Sequence, residues 1–134
     1  MKKMLFLMLF ITFGCTNKQE ELNYLICKDS IQYWNYEWPR ERAEYYGFTF
    51  GFNKNGTVKK YSYNKEKNKR WLFGDNRDPY NDKWSVTEDS IFKVMGDRDK
   101  IIRYTKDTIY VINIKYKIKG YYVKIKRESL NLQQ

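Results

Sequence analysis

The sequence contains no histidine, and only two of its 134 residues are cysteine. Without histidine there is no Ser-His-Asp or Cys-His pair and no imidazole to hold zinc. Two cysteines are too few for a thiolate cluster. Acid–base work would fall to carboxylates, lysine and tyrosine, and no grouping of these in the sequence marks a catalytic constellation. The expectation is a protein that is not an enzyme and carries no cofactor. Long apolar runs are also scarce. Met4 to Phe13 is apolar apart from Thr12, but ten residues rise only about 15 Å as a helix, roughly half the hydrocarbon thickness of a bilayer. A spanning helix is thereby disfavoured.

What that run does have is the layout of a secretory signal. Lys2 and Lys3 precede it, and Gly14 and Cys15 follow it, giving a positive start, a short apolar core and a small residue at the cut. Thr12, Phe13, Gly14 and Cys15 resemble the lipobox of bacterial lipoproteins. That resemblance implies cleavage before Cys15, acylation of its thiol and anchoring by lipid. Residues 1–14 are then the signal peptide. Residues 15–23 follow as lipidated cysteine and polar tether, because Thr16 to Glu21 contains no apolar residue to fold around. Lys18 to Glu21 reads either as a plain solvated linker or as the lysine-and-acid export signal of some surface lipoproteins. Thr16 stands where an aspartate is associated with inner-membrane retention, so the expected address is the outer membrane of a Gram-negative bacterium. With Cys15 carrying lipid, Cys27 has no disulfide partner within the chain and reads as a small half-buried apolar residue.

Residues 24–134 are enough for one domain with a real core. Lysine and arginine number 26 against 16 acidic residues, a net charge of +10. Such a balance is the usual footprint of nucleic-acid or anionic-membrane binding. The abundance of lysine, asparagine, isoleucine and tyrosine is equally what an AT-rich genome produces, and an envelope address argues against nucleic acid as a partner.

From Tyr45 onward the chain consists of short β-branched and aromatic runs separated by turn residues. Phe48, Phe50 and Phe52 alternate with Gly47, Thr49 and Gly51, a period-two strand signal. Asn53 to Gly56 tolerates left-handed backbone and turns this strand back into Thr57 to Tyr63. Further strands are expected at 71–73, 84–87, 91–95, 101–105, 108–115 and 120–127, with Gly96 to Asp99 as one of the turns. The segment 30–38 suits an opening strand or a helix, and Pro39 ends it either way. Connections this short force antiparallel neighbours. The predicted fold is all-β, an up-and-down antiparallel meander of eight or nine strands. Closing it into a small barrel hides its edges.

The strand ending in Phe52 to Thr57, then Trp84 to Val86, Ile91 and Phe92, Asp107 to Tyr110, and Tyr121 to Arg127, resembles the small lipocalin-like lipoproteins of bacterial cell envelopes. The likeness covers roughly residues 45 to 128. It implies a lipocalin-like barrel and a cavity more than it implies a task.

Within such a barrel Phe48, Phe50, Phe52, Trp84, Phe92, Tyr104, Tyr110 and Tyr121 are the candidate ligand-lining residues. The bland alternative is that these aromatics simply fill the barrel. Asp75, Asp78 and Asp82, with Asn76 and Asn81, crowd one loop, but Arg77 and Pro79 fall where a calcium loop needs oxygen donors. No metal is expected. Lys115, Lys117 and Lys119 alternate with apolar residues, as do Lys124 and Lys126, predicting either a lysine ladder for anionic surfaces or merely the wet face of a sheet. The function expected is an envelope lipoprotein, held to the membrane through lipid on Cys15, that binds a small apolar or amphipathic ligand inside the barrel. The rival is an interaction module with a solid interior that binds a protein or glycan on its outer surface.

Overall fold

The computed structural model describes residues 17–73 and 82–133. The signal segment, Cys15, and the loop residues Asp75 and Asp78 lie outside the described residues.

The domain begins earlier than expected. Helix α1 (Lys18–Ile26) is capped by Asn17, whose side-chain oxygen accepts from the Gln19 amide at 3.0 Å, and Glu20 and Glu21 occupy its first turn. A capping asparagine and acids at the positive end of the helix dipole stabilise this start. Leu22 and Ile26, one turn apart, are fully buried. The expected tether over 15–23 is therefore corrected from Lys18 onward: the polar first turn belongs to an amphipathic helix whose apolar anchors lie further along.

The strands are β1 (Ile31–Glu37), β2 (Tyr46–Asn53), β3 (Val58–Asn64), β4 (Lys69–Leu72), β5 (Trp84–Val86), β6 (Ile91–Val94), β7 (Asp97–Tyr104), β8 (Thr108–Asn113), β9 (Lys119–Lys124) and β10 (Leu132–Gln133). They form one sheet in the order β10-β4-β3-β2-β1-β9-β8-β7-β6-β5. Nine strands run as antiparallel meanders, β1–β4 and β5–β9, joined where β1 pairs with β9; β10 alone is parallel, on β4. The all-β, up-and-down reading holds. The sheet curls into a half-barrel whose break falls between its two edges, β10 on β4 at one and β5 at the other. An isolated bridge from Thr57 to Lys83 pins that break at one corner, with Trp84 N donating to Gly56 O at 2.9 Å.

The β2–β3 hairpin is as expected, and Gly56 adopts φ +93°, a conformation that favours glycine. Two other connections differ. Met95 and Gly96 both have positive φ and form a two-residue turn, so Val94 pairs with Asp97 and β7 starts at Asp97. The aspartates assigned to that turn are thus strand residues, and alternation sends Asp99 inward. At the other connection, the side-chain oxygen of Asn113 accepts from the amides of Lys115 and Tyr116 and ends β8. Residues 114–118 are then a turn and loop, and the lysine ladder does not form.

The core lies on the concave face. Phe52, Phe92, Trp34, Ile109 and Val111 are almost completely buried there. Helix α1 covers one end of the half-barrel: Trp34 Nε1 donates to Ile26 O at 2.9 Å, and Gln19 Nε2 to Val86 O at 2.7 Å. On the convex face Arg70 is also buried, donating from Nε to Thr49 Oγ1 at 2.8 Å with its guanidinium 3.8 Å from the Tyr63 ring centre.

Candidate functional site

The end of the half-barrel away from α1 is open, and a cavity of about 380 Å³ lies inside it. One wall is aromatic. The Trp38 and Phe48 rings stack nearly parallel at 5.3 Å, Tyr36 stacks on Trp38 at 5.0 Å, and Phe73 meets Phe48 edge-on at 5.5 Å. Phe50 and Tyr122 form the floor, above the packed rings of Phe52 and Phe92. Strand alternation explains the wall: Trp34, Tyr36 and Trp38 share one face of the β1 segment, and Phe48, Phe50 and Phe52 the matching face of β2. Deeper residues fill the core, and those nearer the mouth line the space. Phe73, Tyr116 and Ile118 carry the apolar lining out to the rim, where all three are exposed.

Three charged residues also line the cavity. Lys60 stands opposite Phe50 in the β2–β3 register, so it shares the inward face. Its ammonium lies 4.0 Å from the Phe48 ring centre and 4.6 Å from that of Phe73. Among the described residues it has no hydrogen-bond acceptor and no ion-pair partner. Burial pushes the Lys60 ammonium below its usual range, and the charge of Asp97 opposes this. Asp99 is almost wholly buried and accepts from Asn113 Nδ2 at 3.0 Å. Burial raises its carboxyl, the Asn113 bond partly offsets that, and Asp97 raises it further. The Tyr36 and Tyr122 hydroxyls are held well above their ordinary range, chiefly by burial and then by Asp99. Both stay protonated, so their rings offer neutral surface.

Of the residues chosen from the sequence, Phe48 and Phe50 line this cavity. Phe52, Trp84 and Phe92 do not; they are core, and the Trp84 indole donates to Asn53 O at 2.7 Å. Tyr104 lies at the opposite end, packed against the core with Glu21 of α1 beside its hydroxyl. Tyr110 and Tyr121 are cross-strand partners 6.1 Å apart, and Tyr121 is 41% exposed, with Arg103 stacked over Tyr110. They are corrected to the convex face, because β9 alternates Gly120 and Tyr122 inward. Tyr36, Trp38, Lys60, Phe73, Asp97 and Asp99 were missed. The Trp34-Tyr36-Trp38 alternation and the hairpin register, which sets Lys60 against Phe50, were the available signals.

Cys27 is buried, its thiol donating to Asp29 O at 3.3 Å, and burial pushes that thiol up. It is a packing residue. No group of three or more metal-ligating side chains occurs among the described residues. A depression of about 410 Å³ with an aromatic lining lies beside Tyr46, Tyr63 and Trp71, and one of about 730 Å³ is walled mainly by polar residues such as Asp29, Lys124 and Glu128. What distinguishes the inner cavity is that, among the described residues, its aromatic wall on the concave face carries one cation, Lys60, an arrangement suited to holding an apolar body. No protein-family model, curated protein or solved structure matches this chain.

Proposed function

We propose that this protein is an envelope lipoprotein, anchored to the outer membrane through lipid on Cys15, whose half-barrel binds a small apolar or amphipathic ligand. The observation that carries the binding part is the aromatic cavity of about 380 Å³ at the open mouth. It exceeds the roughly 300 Å³ at which small-molecule sites begin. The exposed apolar rim at Phe73 and Ile118 supplies an entrance. The rival reading of a solid interior is less favoured, since the core is filled by Phe52 and Phe92 toward α1 but is open at the other end. The anchor rests on the Gly14–Cys15 junction. Helix α1 follows Cys15 closely and covers the end opposite the cavity, so an anchor there leaves the mouth free.

Two measurements test this. Cys15→Ser should abolish acylation and release or misprocess the protein, and a variant still fully membrane-bound with unchanged mass would end the lipoprotein reading. The full chain in phosphatidylcholine liposomes should bind the neutral probe N-phenylnaphthylamine with micromolar affinity, about 8 kcal/mol. The signal is probe emission excited through tryptophan, with protein-free liposomes as blank. Absence of saturable binding would favour the interaction module.

A further inference from the structure

Lys60 is the anomaly of the cavity. Its strand neighbours on the inward face are Val58, which is buried core, and Ser62. A methionine or leucine would fill its place in an apolar wall without desolvating a charge. Instead an ammonium is held between the faces of Phe48 and Phe73, with Phe50 at 5.9 Å. Aromatic faces attract a cation but leave its N–H groups without acceptors. Asp97 influences Lys60 through space, but the two make no ion pair, and Asp97 is exposed at the rim. Asp99 is already engaged by Asn113, and its burial favours the uncharged acid. The cavity therefore presents one partly desolvated cation that, among the described residues, has no hydrogen-bond acceptor, set against a ring-lined wall.

We propose that Lys60 reads the head group of the ligand, and that the ligand is an organic anion: a carboxylate, sulfonate or phosphate on a compact apolar body. The acid accepts from the Lys60 ammonium while the body lies against Trp38 and Phe48. A charge-assisted hydrogen bond is stronger than a neutral one. The inference rests on the binding reading above and sharpens it from apolar ligands in general to anionic ones.

The test uses two probes with one skeleton, neutral N-phenylnaphthylamine and anionic anilinonaphthalene sulfonate, on the full chain in phosphatidylcholine liposomes. The sulfonate should bind at least tenfold more tightly. Lys60→Met, which keeps the apolar stem, should abolish that preference while leaving the neutral probe bound, and Lys60→Arg should retain it. Asp97→Asn, which leaves Lys60 in place, should widen it. Equal affinities in the wild type, or a preference that survives Lys60→Met, would overturn the inference while leaving the cavity a binder. Preference for a naphthyl trimethylammonium probe would also overturn it, pointing to the aspartates. Binding of neither phenylnaphthylamine probe would instead sink the underlying reading.

Discussion

Asp99 shows how one residue's position changes its chemistry. In a turn it would be a solvated carboxylate; on β7 it is buried beside Asn113. Its carboxyl is raised above the ordinary value of 3.8, mainly by burial. A raised acid binds its proton more tightly in the folded state, so its contribution to stability is complete below that ordinary value. It is lost as pH rises through the folded value. Asp99→Asn removes the titration while keeping an acceptor for Asn113. The variant should melt higher than wild type at pH 7, by on the order of 1 kcal/mol, and the gap should close as pH falls toward 4. Thermal melts across that range check this, and a gap that does not depend on pH would contradict it. The sequence hid this residue because the run Gly96 to Asp99, with its two aspartates, is ordinary turn composition. Only the two-residue Met95–Gly96 turn frees it to enter the strand.

At the scale of elements, local pattern was readable where it was self-contained. Phe48-Phe50-Phe52 and Asn53 to Gly56 specify the β2–β3 hairpin and, through its register, place Lys60 opposite Phe50. Helix α1 was missed because its first turn is wholly polar and its burial depends on the barrel end it covers. That burial is a large term. Leu22 is inaccessible to solvent, and Leu22→Ala should destabilise the domain by about 2–5 kcal/mol through lost transfer energy and the cavity left behind. Denaturant unfolding measures it. A loss below about 1 kcal/mol would mean that α1 docks only weakly on the half-barrel. Tyr110 and Tyr121 were misplaced for a related reason: period two gives two faces, and only the sheet's curvature decides which one is inside.

For the whole molecule, the up-and-down class was legible, whereas the place of the break was not. Short connections dictate antiparallel neighbours, yet nothing local says that β1 will pair with β9 while β4 and β5 stay apart. The cavity depends on that choice, since its walls come from both meanders: Phe48 and Lys60 from one, Asp99 and Tyr122 from the other. Strand β5, at the edge of the sheet with three residues, is paired along its length on one side only. Its amides should exchange with solvent faster than those of β1 and β2, whose protection should approach that of global unfolding. Hydrogen exchange read by mass spectrometry or NMR distinguishes these, and uniform protection across the sheet would indicate full closure.

The pairing of Trp34 with Lys124 joins strands far apart in sequence. It also imposes an order of events. The β1–β2–β3 hairpins can form as soon as they emerge, but the seam between β1 and β9 must wait for nearly the entire polypeptide. Loop-closure entropy makes such a late, non-local contact slow. Throughout that interval β1 presents an unpaired edge, available to the strand of another molecule. The seam that completes the two-sided cavity is thus also the step at which a newly made chain is most exposed to mispairing.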